Sequence, residues 1–272
     1  LHWTRPALNW NFSCADCHAT GLRRNYDAGR DAYATSAARF DVGCQACHGP
    51  AERHLARVAQ KSGTDPGFDA PLGGPESWRE LEACARCHAR RAPLGDGFDH
   101  SHRLMDDFLP ALLDENLYFA DGQILDEVYE YGSFLQTKMH AKNVRCSDCH
   151  EPHALRLRQE GNLLCATCHS ATPTLPAHVD GATLARKNYD SPEHHRHAPG
   201  TEGSRCVDCH MPARTYMGVD ERRDHGFRVP RPDLAARMAS PDPCASCHDE
   251  GAEWAAAKVR EWFGPKRAPE PF

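Results

Sequence analysis

The sequence is poor in the residues that build an ordinary protein core. Only 8% of its 272 residues are aromatic, and its mean hydropathy is −0.67. Twenty glycines and twenty prolines divide the chain into short segments. Side chains alone would bury too little apolar surface to offset the conformational entropy lost on folding. These shortages indicate that something other than side chains fills the interior.

Long apolar runs are missing as well. No window of about 18 apolar residues occurs, so the sequence predicts no transmembrane helix. The first residues, Leu1 to Trp3, lack the charged and apolar regions of a signal peptide, so we expect a processed or truncated chain. The formal net charge of −6 argues against nucleic acid as a partner.

Lysine is scarce, because only six of the 32 basic residues are lysine and the others are arginine. The planar guanidinium group of arginine suits carboxylates in partly buried sites. Two interpretations stay open: some arginines hold the carboxylates of a cofactor, or they are solvated surface charges.

Cysteine is abundant and strictly patterned. All fourteen cysteines fall into CxxC pairs, and every second cysteine is followed directly by histidine. The pairs are Cys14 and Cys17, Cys44 and Cys47, Cys84 and Cys87, Cys146 and Cys149, Cys165 and Cys168, Cys206 and Cys209, and Cys244 and Cys247. The histidines that follow them are His18, His48, His88, His150, His169, His210 and His248.

The CxxCH pattern is typical of covalent haem attachment. The two thiols form thioethers with the haem vinyl groups, and the adjacent histidine binds the iron, all from one helical turn. Zinc sites built from paired CxxC units and a disulfide scaffold are the alternatives. Seven units cannot pair evenly, and neither alternative explains the histidines. The sequence therefore predicts seven covalently bound haem c groups with those histidines as proximal ligands.

Histidine exceeds what proximal ligation needs. Eleven further histidines remain for seven irons, which favours bis-histidine coordination, while the five methionines are better explained by packing. Asp224 is expected to orient the ring of His225. The predicted distal candidates are His2, His54, His100, His102, His140, His153, His178, His195, His197 and His225.

The motifs fall into a group of three and a group of four. We expect a haem module at 1–91, a haem-free insert at 92–133, a second haem module at 134–249, and a C-terminal helix and tail at 250–272. Only 19 residues separate Cys146 from Cys165, so the fourth and fifth haems are expected to lie close together.

The expected fold class is mainly α with a large irregular or loop content, in which haems form the core. Helices are predicted over 50–61, 76–84 and 250–263, from proline or acidic starts and apolar spacing. One small β-hairpin is predicted around 117–125, where apolar residues flank Asp121 and Gly122, as the only regular sheet.

Several stretches carry a family resemblance. They are His2 to Thr4, Asn9 to Asn11, Cys44 to Pro50, Asp121 to Phe134, Cys206 to Pro212, Tyr216 with Met217, and Arg223 to Pro232. They resemble a family of exported multihaem cytochromes whose haem domain often precedes tetratricopeptide repeats, which are absent from this sequence.

The segment CVDCHMP and the later Asp224 and His225 are also similar to pentahaem nitrite reductases and hydroxylamine-oxidising relatives. That resemblance implies that His225 is a distal haem ligand. Nitrite reductases usually carry a CxxCK motif at the catalytic haem, whereas all seven motifs here end in histidine.

Electron transfer is the favoured function, with redox partner proteins or an external electron acceptor as partners. Because haem attachment of this type is completed outside the cytoplasm, we expect an exported protein, periplasmic or extracellular. One form of the hypothesis is self-association into a filament. The alternative is an oxidoreductase acting on nitrite, hydroxylamine-type or sulfur compounds at one open haem, with Tyr216 or His194 beside it.

Overall fold

The computed structural model describes residues 8–61 and 64–264. The chain forms two compact units, Leu1–Ala111 and Leu112–Phe272. The first unit contains three CxxCH motifs and the second contains four. The boundary falls inside the insert predicted at 92–133. The candidate ligand His2, and Trp3 and Thr4 of the family resemblance, lie outside the described residues.

The first unit is built from short helices and two-residue or three-residue strands. A π-helical turn at Trp10–Cys14 leads directly into the first helix. The helices are α1 (Ala15–His18), α2 (Cys44–His48), α3 (Glu52–Gln60), α4 (Ser77–His88) and α5 (Leu104–Asp107). The strands are β1 (Tyr26–Asp27), β2 (Ala32–Tyr33), β3 (Arg91–Pro93) and β4 (Phe108–Pro110).

The second unit has the same character and ends in a longer helix. Its helices are α6 (Tyr131–Leu135), α7 (Lys138–Ala141), α8 (Cys146–Cys149), α9 (Asn162–Ala166), α10 (Pro192–His195), α11 (Cys206–His210), α12 (Pro232–Met238) and α13 (Gly251–Phe263). Its strands are β5 (His150–Glu151), β6 (Arg156–Leu157), β7 (Ala213–Tyr216) and β8 (Asp220–Arg223). Two 3₁₀ turns, Glu202–Ser204 and Pro243–Ser246, complete it.

The helices predicted from the sequence are present, with shifted ends. The helix expected over 50–61 is α3, the one over 76–84 is the longer α4, and the one over 250–263 is α13. Lys61, at the end of α3, and Gly264, after α13, both adopt a positive φ, as residues that end helices commonly do. The helix α4 continues through its own haem motif to His88, so the motif simply extends an existing helix.

The expected fold class is confirmed: helices, abundant irregular structure and small antiparallel hairpins. The hairpin predicted around 117–125 is a tight turn with one bridge, between Tyr118 and Ile124. Gly122 has a φ of +82° in that turn, and a Cβ there would meet Arg228 Nη2 at 2.7 Å, so the position requires glycine. It is not the only hairpin, because β1–β2, β3–β4, β5–β6 and β7–β8 each form a two-stranded antiparallel sheet.

The apolar core made by side chains is small. Among the described residues, sixteen hydrophobic residues are buried, and seven of them are alanines. One cluster in the first unit joins Ala15, Ala19 and Leu22. Another in the second unit joins Tyr118, Ile124, Val128 and Tyr216. Such clusters hold loops together locally but do not make a continuous core for either unit.

Helix length and polarity also bear on membrane insertion. Across residues 8–61 and 64–264, every helix is too short or too polar to span a bilayer.

Phe108 is the largest fully buried side chain of the described residues and tests the packing of the first unit. It is 1% exposed, and the guanidinium of Arg91 lies 3.8 Å from its ring centroid. We expect Phe108→Ala to lower the free energy of unfolding by about 3–5 kcal/mol, because it leaves a cavity and removes the cation–π contact. Its neighbour Leu109 is 62% exposed, so Leu109→Ala should change stability by less than about 0.5 kcal/mol. Denaturant unfolding of the haem-loaded protein, followed by circular dichroism, measures both, and equal losses would contradict this packing.

Candidate haem sites

All seven CxxCH motifs lie at helical turns. Six of them coincide with or end helices α1, α2, α4, α8, α9 and α11, and the seventh lies in the 3₁₀ turn Pro243–Ser246. In the fifth and seventh motifs the histidine N–H donates to the carbonyl of the first cysteine, four residues back, at 2.8 and 2.9 Å. Each turn therefore brings both thiols and the histidine to neighbouring positions.

The cysteines form no disulfide, since all fourteen are free thiols. Nor does any group of three or more His, Cys, Asp or Glu side chains converge on one point within the described residues. The donor set is thus arranged motif by motif, two thiols and one imidazole at a time, which fits covalent haem and not a four-thiolate ion site.

Motifs that are distant in sequence meet at their thiols. In the first unit Cys17 Sγ lies 3.9 Å from the carbonyl oxygen of Cys87. A hydrogen bond with Cys87 lowers the pKa of the Cys17 thiol to about 7, against an opposing effect of burial, and raises the pKa of Cys87. In the second unit a hydrogen bond between Cys165 and Cys206 lowers the pKa of the former and raises that of the latter.

Two further pairs of motifs are close in the second unit. Burial, and then the charges of Asp148 and Cys168, raise the pKa of the Cys149 thiol to about 11. Burial, and then Asp208, Cys206 and Cys247, raise the pKa of Cys209. The fourth motif therefore neighbours the fifth, and the sixth neighbours the seventh.

Three motif histidines face a second histidine. The ring centroids of His150 and His225 are 6.3 Å apart, with 25° between the planes. Those of His210 and His194 are 6.1 Å apart and nearly parallel, at 6°.

The third pair is His248 and His197, whose ring centroids lie 6.1 Å apart at 45°. A metal bound between two imidazoles has metal–nitrogen bonds of about 2 Å and ring radii of about 1.1 Å, so the ring centroids should be about 6.2 Å apart. All three pairs meet this requirement, so these side chains fit an iron held between two histidines.

In three of these six histidines the other ring nitrogen is already held by a hydrogen bond. Nδ1 donates to a backbone carbonyl in His210 (Arg228, 2.8 Å), His225 (Arg223, 3.0 Å) and His197 (His195, 2.6 Å). Such a bond fixes the tautomer with Nε2 free to bind a metal.

The expected role of Asp224 beside His225 is wrong. The carbonyl of Arg223 holds His225 Nδ1. Asp224 instead accepts from the backbone N–H groups of Gly226, at 2.7 Å, and Ile124, at 3.3 Å. Its carboxylate therefore shapes the loop that carries His225 without orienting the ring.

The remaining predicted distal candidates are dispersed. His54 donates from Nδ1 to the Pro66 carbonyl at 2.7 Å, and its ring stacks on Phe68, which also contacts the ring of the motif residue His48. His140 packs edge-on against Phe134, 5.8 Å between ring centroids.

In two candidates Nε2 is engaged elsewhere. His100 Nε2 lies 3.1 Å from the Ala46 carbonyl, and burial lowers the pKa of this imidazole. His178 Nε2 lies 3.0 Å from Asp148 of the fourth motif. His102 directs Nδ1 towards Asp107, at 3.5 Å.

His153 and His195 are placed differently again. His153 is 79% exposed beside Glu151. In His195, Nδ1 accepts from the N–H of His197, which puts its proton on Nε2.

His194 was not among the predicted distal ligands, although it faces His210. Sequence spacing provides no signal for it, because α10 ends at His195 and Arg196 adopts a positive φ, so His194 and His197 do not share one helical face. The terminal helix α13 packs over this region, since Phe263 meets His194 and Trp254 meets His248 at 6.2 and 4.8 Å between ring centroids.

A buried ion triad stands beside the first motif. Asp16 accepts from Arg91 Nη1 at 2.7 Å and lies 2.7 Å from Arg24 Nη2. All three side chains are at most 8% exposed. The two cations converge on one carboxylate, so Asp16 holds together the turn of α1, the loop carrying Arg24 and strand β3.

Two family models match parts of the chain. Residues 2–91 match "Cytochrome c7 and related cytochrome c", and residues 139–174 match the doubled CXXCH motif. No curated protein sequence matches the chain. The family matches cover the first three motifs and the fourth and fifth, and they establish haem c binding through CxxCH motifs.

Two solved structures are similar to this one. The outer cell wall cytochrome OcwA shares 21% identity with a TM-score of 0.53, and the match covers 93% of this chain and 63% of that one. An undecahaem cytochrome from the S-layer of Carboxydothermus ferrireducens shares 20% identity with a TM-score of 0.40, over 92% of this chain and 46% of that one. The first likeness shows a multihaem cytochrome fold, in a chain that spans 63% of its length.

The triad at Asp16 predicts a large effect from one buried carboxylate. We expect Asp16→Asn to reduce the free energy of unfolding by about 3–5 kcal/mol, because two buried guanidinium groups lose their counter-charge. Asp27 forms an exposed pair with Arg30, with side chains 49% and 84% exposed, so Asp27→Asn should cost less than about 0.5 kcal/mol. Thermal and denaturant unfolding of the haem-loaded variants make the comparison. A small effect of Asp16→Asn would show that the triad adds no net stability.

Proposed function

We propose that this multihaem c-type cytochrome, which binds haem c at CxxCH motifs and transfers electrons, carries seven haems and conducts electrons between exposed motifs at the protein surface. A bound haem c supplies an iron that gains and loses one electron. The protein's part is to hold each iron between fixed ligands and to bring neighbouring sites close.

The facing histidines carry this proposal. We assign His225 opposite His150, His194 opposite His210, and His197 opposite His248, on ring separations of 6.1–6.3 Å. An iron held between two such histidines would have no open position for a substrate, so these sites favour electron transfer over chemistry on a bound molecule.

The neighbouring thiols support a continuous relay within each unit. In the second unit the fourth, fifth, sixth and seventh motifs meet in chain order, through Cys149 with Cys168, Cys165 with Cys206, and Cys209 with Cys247. In the first unit the first motif meets the third.

Exposure of the attachment cysteines supports surface access at two places. Cys44, Cys47 and Cys247 are exposed, whereas the other cysteines are partly covered. We infer that each unit exchanges electrons with a redox partner protein or an external acceptor at its exposed motif, the second motif in the first unit and the seventh in the second unit.

We infer an exported protein, periplasmic or extracellular. The structurally similar protein OcwA is named as an outer cell wall cytochrome. Haem attachment outside the cytoplasm is in line with this location. Protease treatment of intact cells tests it, because a chain that remains protected until lysis of the inner membrane would contradict it.

The ligand assignment predicts a local spectroscopic change. We expect His225→Met to convert the bis-histidine signal of one haem into histidine–methionine or five-coordinate signal and to raise the potential of that haem. The matched control is His153→Met, at a histidine that is 79% exposed, which should leave the spectrum unchanged. Intact mass should report seven haems in both variants. An unchanged His225→Met spectrum would overturn the assignment, and a wild-type high-spin iron that binds nitrite or hydroxylamine would favour an enzyme.

We also propose self-association through the exposed motifs, as a filament subunit. A contact between the second motif of one copy and the seventh motif of the next would join two different surfaces, and such heterologous contacts form filaments where the rotation between copies does not close. We expect fibres in negative-stain micrographs of concentrated, haem-loaded protein. Dispersed monomers at every concentration would contradict the filament and leave the single-molecule relay intact.

A further inference from the structure

The third motif contains a buried cation that no other motif has. The residue before the second cysteine is Arg86 in this motif, but it is Asp, Ala, Thr or Ser in the other six. Arg86 is 4% exposed. Burying a guanidinium group is unfavourable unless its charge is paired and hydrogen-bonded, so the burial of Arg86 requires an explanation.

The guanidinium of Arg86 is held firmly but by neutral groups. Its Nη2 donates to the carbonyl of Asp99 at 3.0 Å and lies 3.4 Å from that of His102. One face lies against the ring of Phe98, 4.3 Å from the ring centroid. Nε and Nη1 are buried without a hydrogen-bond partner.

Among the described residues no ion pair neutralises it, although Asp107, Glu82 and Asp99 stabilise its charge from a longer distance. Within the described part of the chain, no carboxylate lies in ion-pair distance of Arg86. Glu82, one turn earlier on α4, accepts instead from Arg103 Nε at 2.9 Å and from the Leu104 N–H at 2.8 Å. Asp99 and Asp107 stand farther off and accept from Ser101 and His102.

Arg86 lies between two haem attachment sites. It belongs to the turn that carries Cys87 and His88, and it lines a narrow cleft together with Cys47 of the second motif. Because Arg86 is buried, its charge is weakly screened at the third motif and more strongly screened at the second, whose cysteines are exposed.

We propose that Arg86 sets the reduction potentials of the first unit, by favouring the reduced state of the haem at the third motif and, more weakly, of the haem at the second. Reduction adds one negative charge at the iron, and a buried cation stabilises it. The third site then retains electrons that arrive through the exposed second motif. The inference rests on the proposed haem attachment at these motifs.

The test is a stepwise redox titration of the full haem-loaded chain in which haem methyl NMR signals resolve each haem. In Arg86→Gln, we expect the equilibrium of the third-motif haem to shift about tenfold towards the oxidised form, equivalent to about 59 mV for a one-electron couple. Arg86→Lys keeps the charge and should shift that equilibrium less than threefold. Arg30→Gln removes the same charge from a side chain that is 84% exposed and should shift no haem.

Three outcomes decide the inference. Unchanged potentials in Arg86→Gln, with all seven haems present by mass, would overturn it while leaving the proposed function untouched. Missing haems in the wild-type mass would instead overturn the proposed function. If Arg86→Gln does not mature, wild-type titration decides: the third-motif haem should be the first of its unit to be reduced, and any later position would overturn the role of Arg86.

Discussion

Two cysteines three residues apart and the histidine after them can reach one haem only if the backbone between them turns as a helix. The whole structure follows from meeting this constraint seven times in 272 residues. The helices that carry motifs have only four or five residues, except α4, which has twelve and packs against α1. With sixteen buried hydrophobic residues among those described, seven of them alanine, the polypeptide has little core of its own. Its side chains form local clusters that fix one motif turn against the next.

Charge beside the motifs follows a second regularity. Aspartate precedes the second cysteine in the first, fourth and sixth motifs, and each carboxylate has a cation or an imidazole: Arg24 and Arg91 for Asp16, His178 for Asp148, Arg205 and Arg223 for Asp208. Each of these three carboxylates is therefore paired. Arg86 breaks the pattern, because its hydrogen bonds go to carbonyls. A chain that pairs three of its motif carboxylates and leaves one buried motif cation without an ion pair has the means to make neighbouring sites differ in potential.

The haem attachment sites could be predicted from the sequence, because the five residues of each CxxCH motif contain both thiols and the histidine that the site needs. The helices α3, α4 and α13 followed from apolar spacing and end signals. The four two-stranded sheets did not, since strands of two to four residues carry no periodic pattern and pair only where a turn allows it. The facing pairs of histidines depend on tertiary contacts between residues up to 75 apart, such as His150 and His225, which spacing cannot supply. His194 was missed for that reason. Asp224 was expected to orient the ring of its sequence neighbour His225, but it accepts hydrogen bonds from backbone N–H groups of two segments instead.

The order of the sites in space differs from their order in the chain, and this bears on conduction. In the first unit α1 packs against α4, so Cys17 meets Cys87, while Arg86 on the same turn of α4 lines the cleft beside Cys47. The third motif thus stands between the second and the first. On the proposed function, an electron that arrives at the exposed second motif reaches the third motif before the first. A cation at the third motif raises the reduction potential of its haem, so the electron is retained there. In the second unit chain order and spatial order coincide, and no buried arginine occupies the equivalent motif position. On the proposed function, the two units attach haem in the same way but differ in electrostatics. The first unit, with its buried arginine, is suited to retaining electrons, and the second is suited to transferring them from motif to motif.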